Sequence, residues 1–308
     1  MKHLISLLSA LMLVPVATLQ AQLTPCWVLP EMNAPRVQRI VLDSKTIDMQ
    51  VSYHVFTPEI YQKEKSRRFP VLYWLHGTGG GMQGIPKLSS LFDRAMQEGK
   101  IPPMIVVFPN GLKESMWCDS KDYTTPVETL LIREIIPHVD ETHRTIKAPE
   151  GRIIEGFSMG GFGAARLGFK HPQLFGAVSI LAGGPLDLDF SGARATANPA
   201  ERARIMEEVF GDDMDYYKAQ HPITIAGKQA ALLRNKIMIR IAVGSRDRSG
   251  MEIRAYSERL TKLKIEHAFT IVPEVGHDTL ALINGLGEAN WGFYQKALNN
   301  IQKNSLKE

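Results

Sequence analysis

Ser158 lies in Gly156-Phe157-Ser158-Met159-Gly160, a G-x-S-x-G pattern. A serine hydroxyl is a weak nucleophile near neutral pH and attacks an acyl carbon only when a neighbouring base takes its proton. That base, usually an imidazole, needs a carboxylate to hold its tautomer and balance its charge. Downstream, His277 in Val275-Gly276-His277-Asp278-Thr279 and Asp247 in Val243-Gly244-Ser245-Arg246-Asp247 offer the two groups. The tetrahedral species formed by attack carries a negative oxygen that two N–H donors must meet. The Met159 amide, directly after the serine, is one expected donor. The other is expected from His76-Gly77-Thr78-Gly79-Gly80, where small residues let backbone amides face a substrate, and Thr78 is favoured over Gly77. Ser158, Asp247 and His277 would therefore perform acyl transfer through a covalent acyl-enzyme.

Such a serine has to project from a strained turn between a strand and a helix. Arg152-Ile153-Ile154 is short and β-branched, which suits a strand buried on both faces, and residues 162–170 read as the following helix. Gly156 and Gly160 leave the turn free of Cβ clashes, and Gly161 lets the helix pack closely. The acid and the base should each sit just past the carboxyl end of a strand, in the chain order Ser, acid, His. Asp247 follows a strand expected over 236–243. His277 follows one over 267–272 and precedes the last helix. Of the other late histidines, His221 precedes a segment of uncertain helicity and His267 is at the wrong end of its strand. Asp278 points away from its neighbour His277, and Glu252 falls on a helix. His138 and His143 are five apart and lack H-E-x-x-H spacing, so no metal role is assigned.

The remaining elements follow from hydrophobic periodicity. Strands over 37–42 and 49–56 read as an antiparallel pair. Continuous apolar runs at 70–75, 103–108 and 176–181 read as buried strands. Helices are expected over 87–97, 127–144, 200–210 and 251–264, and one long closing helix over 279–301. Asn198 stands near the start of the 200–210 helix and Gly211 just past its end. Strands alternating with helices imply an α/β fold with a mostly parallel central sheet and helices on both faces. The stretch 183–236 is the least legible part of the chain.

Residues 1–21 stand apart: a basic start, then an apolar run over 4–19 broken only by two serines, a threonine and Pro15, then a small residue suited to cleavage. This pattern is a secretory signal peptide, leaving 22–308 as one catalytic domain in a secreted or periplasmic protein, with no stable membrane anchor after cleavage. The 308 residues are 44% apolar and 22% charged, with net charge +4, ordinary values for a globular chain. The one dense basic run, 63–68, is a solvated loop rather than a nucleic-acid surface. Cys26 and Cys118 are the only cysteines. An exported chain meets an oxidising compartment, and spacing leaves open whether the two pair.

The GFSMGG elbow, the WLHGTGG loop, the GSRD loop and the GHD loop together resemble the esterase D-like branch of the α/β-hydrolases, which includes S-formylglutathione hydrolases, feruloyl and acetylxylan esterases and mycolyltransferases. HPQLFGA at 171–177, FPNG at 108–111 and WCDS at 117–120 are similar to further segments of that family, and the resemblance runs over about 36–300. It implies the α/β-hydrolase fold with Ser158 as nucleophile, Asp247 as acid, His277 as base, and the Thr78 and Met159 amides as oxyanion donors. Cys118 stands where relatives often carry tyrosine. Gly77, Gly79, Trp117 and Tyr123 are expected beside the substrate. The triad itself needs no cofactor. Fifty-odd residues between the strands at 176–181 and 236–243 allow a small cap or none, hence an open site suited to an acyl group on a bulky alcohol. Export argues against a cytosolic glutathione thioester. The expectation is a serine carboxylesterase acting on acetyl or feruloyl esters of polysaccharide. The alternatives are acyl transfer to a sugar, or a catalytically inactive carbohydrate-binding protein on the same fold.

Overall fold

Eight strands form one sheet in the order β1-β2-β4-β3-β5-β6-β7-β8. The computed structural model describes residues 25–191, 198–234 and 236–305; the expected leader at 1–21 lies outside the described residues. β1 (Val37–Ser44) and β2 (Met49–Phe56) are antiparallel, and β2 runs antiparallel to β4 (Ile105–Pro109). β3 (Val71–Leu75), β4, β5 (Arg152–Phe157), β6 (Ala177–Leu181), β7 (Met238–Gly244) and β8 (Ala268–Val272) are mutually parallel. Every residue of β3, β4, β5 and β6 is buried, as expected where helices cover both faces.

The chain runs outward from β3 to β4, then returns to the other side of β3 as β5. The loops leaving β3 and β5 therefore diverge, and a crevice opens between their carboxyl ends, where open α/β sheets bind ligands. Register aligns the rims: Leu75 is opposite Gly156, Phe157 opposite Leu181, Leu181 opposite Ala242, and Gly244 opposite Val272.

Three helical expectations need correction. The helix over 127–144 forms as Val127–Leu130, a π-helical Leu131–Ile135, and Ile136–Thr142. Pro137 lies at the start of the third piece, lacks an N–H and crowds the preceding turn, which accounts for the widened ladder before it. The closing helix is two, Thr279–Leu286 and Glu288–Ser305, broken at Gly287, whose φ of 54° is left-handed. Among the described residues the stretch 183–236 holds three helices where one was expected: Pro199–Glu208, Met214–Gln220 and Pro222–Leu233. Each has a side-chain cap. Asn198 accepts from the Ala200 amide, Asp213 from those of Asp215 and Tyr216, and the His221 ring from that of Ile223. Pro222–Leu233 packs on the elbow helix, where His221 meets Phe162 edge-on at 5.8 Å. The other two helices lie over the loop after β4, joined to it by Arg204–Glu114 and Lys121–Asp213 ion pairs and by the Tyr216 hydroxyl on the Asp119 carbonyl.

Both cysteines are free. Cys26 is exposed, whereas Cys118 is buried and its thiol is pushed up to about 12 by that burial. Stability rests on the core, which includes one polar ladder. Glu155, Ser179 and Arg240 occupy matched positions on β5, β6 and β7. Arg240 donates to Glu155 (2.6 Å), Ser179 (2.7 Å) and Asn290 (2.8 Å), and the Tyr294 hydroxyl donates to the other Glu155 oxygen at 2.7 Å. Among the described residues no helix is long and apolar enough to cross a membrane.

Candidate active site

Ser158 follows β5 directly and caps the Met159–Lys170 helix with φ 59° and ψ −122°. This conformation is costly for a residue with a Cβ, and it persists only where neighbours over-determine it. Three backbone hydrogen bonds do so: the Ser158 amide donates to the Leu181 carbonyl at 3.0 Å, and the Ser158 carbonyl accepts from Phe162 and Gly184, each at 3.1 Å. The turn is also sterically tight. A Cβ on Gly156 would lie 2.1 Å from the Gly160 carbonyl oxygen, and one on Gly160 would lie 1.9 Å from the Leu75 carbonyl oxygen. The G-x-S-x-G glycines are thus close-approach residues that let β3, β5 and the helix converge under the serine.

Asp247 and His277 arrive from the ends of β7 and β8. His277 Nδ1 donates to Asp247 Oδ2 at 2.6 Å, which leaves Nε2 for another partner. Asp247 Oδ1 accepts from the Ser249 amide and hydroxyl at 3.0 and 2.8 Å. Burial opposes ionisation of this carboxyl, but the His277 and Ser249 hydrogen bonds outweigh it, and its pKa lies below the ordinary aspartate value. The two loops are stitched together: Ser245 N–H donates to the Val272 carbonyl, Arg246 N–H to the Val275 carbonyl, and Glu274 N–H to the Ser245 hydroxyl. His277 packs on Phe157, ring centroids 4.6 Å apart, and shares one cavity with Ser158. Among the described residues Ser158 is not hydrogen-bonded to the imidazole; such bonds commonly close only around substrate.

The loop after β3 passes the serine closely. A Cβ on Gly77 would sit 3.2 Å from Ser158 Cβ. Thr78 lines the cavity with Gly77, Gly80 and Gly81. Met159 opens the elbow helix, so its amide is among the N-terminal donors without an intrahelical acceptor. The cavity, of about 370 Å³, is also bounded by Trp74, Leu88, Phe157 and Leu280, with Lys87 and Glu201 among its charged groups.

Three expected substrate neighbours are placed elsewhere. Trp117 is fully buried, its indole N–H donating to the His76 carbonyl at 3.1 Å, so it props the loop from behind. Tyr123 is 69% exposed and outside the lining. Gly79 is outside the lining too, its amide donating to the Lys113 carbonyl at 2.9 Å. Conversely, sequence reasoning passed over Lys87, Leu88 and Glu201. The first two begin the helix after the glycine loop, a position that could have flagged them. Glu201 comes from the Pro199–Glu208 helix, which the Arg204–Glu114 pair joins to the loop after β4, a tertiary contact that left no sequence signal.

Two histidines here are held neutral. His76 is buried, which brings its pKa down to about 4 against the opposing effect of its hydrogen bond to Gly77; His221 is brought to about 3 by burial and the Arg259 charge. Unfolded imidazoles protonate near 6.5. Between that pH and about 4 the unfolded chain therefore binds more protons, and stability falls as pH falls. A urea midpoint clearly lower at pH 4.5 than at pH 7 is expected, and an unchanged midpoint would contradict neutral burial of the pair.

The family model described as "Putative esterase" matches residues 44–304. The chain belongs to that family. Over 162 residues it is 31% identical to an endo-1,4-beta-xylanase/feruloyl esterase of Xylanibacter ruminicola, covering 50% of this chain and 22% of that protein. Over 160 residues it is 32% identical to an esterase of Mycobacterium tuberculosis, covering 49% and 33%. The chain thus spans well under two thirds of the length of these curated relatives. Among solved structures, a ferulic acid esterase superposes with TM-score 0.69 at 22% identity, covering 84% of this chain and 97% of that one. The fluorophosphonate-binding serine hydrolase F of Staphylococcus aureus superposes with TM-score 0.67 at 17% identity, covering 84% and 97%. These likenesses establish the α/β-hydrolase fold.

Proposed function

We propose that this chain is a secreted serine carboxylesterase that hydrolyses acyl esters by way of an acyl-enzyme on Ser158. The observation that carries this reading is the meeting of Ser158 and His277 in one cavity, with His277 Nδ1 on Asp247 at 2.6 Å. His277 Nε2 takes the Ser158 proton as Oγ attacks the ester carbonyl, and Asp247 steadies the imidazolium. The Thr78 and Met159 amides receive the oxyanion. The imidazolium then protonates the departing alcohol. A water, deprotonated by the same imidazole, releases the acid and restores the serine. Membership in the Esterase family supports the reaction class.

For the substrate, the reading is a feruloyl or acetyl ester on polysaccharide. It is supported by the feruloyl esterase named among the relatives and by a cavity whose lining includes the apolar Trp74, Leu88 and Leu280. The apolar leader at 4–19 supports export. A fluorophosphonate should label the protein once, and peptide mapping should place the label on Ser158. Labelling at another residue, or none, would remove the serine from the mechanism. Release of ferulate or acetate from esterified xylo-oligosaccharides, measured beside an aryl acetate, tests the substrate class.

A further inference from the structure

The histidine that opens the loop after β3 has a hydrogen-bond pattern the reaction above does not use. The ring of His76 is buried, and both its nitrogens are engaged. Gly111 N–H donates to Nε2 at 3.1 Å, so Nε2 is the bare nitrogen and the proton is on Nδ1. Nδ1–H donates to the Gly77 carbonyl at 2.8 Å. The tautomer is thus set by a second loop, the one after β4. That loop grips His76 twice more: Trp117 Nε1 donates to its carbonyl, and the Trp117 ring stands 5.0 Å from the imidazole. The Gly81 backbone also approaches the ring closely, since a Cβ there would lie 2.9 Å from His76 Cγ and 3.0 Å from Cδ2.

The acceptor matters because of what shares its peptide plane. The carbonyl of Gly77 and the N–H of Thr78 belong to one peptide unit, and in a trans unit the two point in opposite directions. Fixing the carbonyl toward His76 fixes the Thr78 N–H away from it. We propose that His76 is a positioning residue: by holding the Gly77 carbonyl, it aims the Thr78 amide at the oxygen that becomes negative on the acylated carbon. This rests on Thr78 being an oxyanion donor, as above. Without the Nδ1–H bond, the 77–78 unit is free to turn, and the donor spends only part of its time in line. A donor preorganised at the moment of reaction is what such sites require, and losing one outright costs about 100- to 1,000-fold in kcat.

The test compares three variants by kcat and KM on an aryl acetate and by affinity for a trifluoromethyl ketone, which forms the same oxyanion on the serine. His76→Ala is expected to lower kcat about 30- to 100-fold, leave KM within about threefold, and weaken the ketone by a similar factor to kcat. His76→Asn places an N–H near the Nδ1 position and should recover most of the loss. His76→Gln can reach the Gly111 amide but not the Gly77 carbonyl, and should not. Wild-type kcat in His76→Ala, or recovery by Gln and not by Asn, would overturn the proposal and leave the ring as a spacer between loops. Should His76→Ala fail to fold, the Asn and Gln pair decides alone. Fluorophosphonate labelling of the wild-type enzyme separates the two levels. An unlabelled Ser158 removes the esterase reading and this proposal together, whereas a labelled Ser158 with an indifferent His76 removes the proposal only.

Discussion

Ser158→Ala should lower kcat on an aryl acetate by about a million-fold while the protein stays folded. The variant lacks the hydroxyl that would form the acyl-enzyme, and no other nucleophile is held where Oγ was. The backbone that fixes residue 158 is held by Leu181, Phe162 and Gly184, none of which contacts the hydroxyl through these bonds. Circular dichroism and the thermal midpoint should therefore match the parent. Asp247→Asn should cost about 10⁴-fold, because the amide can present N–H where His277 Nδ1 already donates, and the imidazole then turns to the wrong tautomer. Turnover of Ser158→Ala above roughly one per cent of the parent would mean that another group attacks the ester.

The largest effect on stability is expected at the polar ladder in the sheet. Glu155→Ala leaves the buried Arg240 guanidinium facing Ser179, Asn290 and Tyr294 with no counter-charge. Breaking a buried pair from one side costs about 3–5 kcal/mol. In a chain of this size that lowers the melting temperature by roughly 5–8 °C. Replacing both members by apolar residues, Glu155→Leu with Arg240→Met, should recover much of the loss, because the desolvated charge is then gone as well. Calorimetry on the single and double variants checks both statements. A single variant as stable as the parent would mean that Arg240 finds solvent or another anion.

What the sequence revealed follows from how local each signal is. The elbow was readable because its demands are local: a buried strand, a turn that admits no Cβ at Gly156 and Gly160, and a helix start, all within a dozen residues. Asp247 and His277 were readable from position, since each stands just beyond a β-branched run. Tyr123 and Trp117 fall outside the cavity lining, which their aromatic character could not foretell, because pocket walls and packing residues share it and only the tertiary path of the loop after β4 separates the two. Gly79 also lies outside the lining, and a glycine-rich loop does not reveal in advance which amides are already taken, here by the Lys113 carbonyl. The helices Met214–Gln220 and Pro222–Leu233 had cap signals, Asp213 and the His221-Pro222 step, but lacked a strong apolar stripe to match them. His76 entered only as the first residue of the glycine-rich loop, and nothing local says that its ring meets Gly111 from thirty-five positions away.

The sheet order has one more consequence. Ser158 and the proposed amide donors Met159 and Thr78 follow β5 and β3, at the middle of the sheet, whereas His277, the proposed proton carrier, follows β8, an edge strand several of whose side chains reach solvent. Native proteins fray from such margins inward. Under the proposed mechanism, partial loosening there would withdraw the imidazole while Ser158 and the loop after β3 stay in place, so that activity would fall and return without the middle of the sheet coming apart.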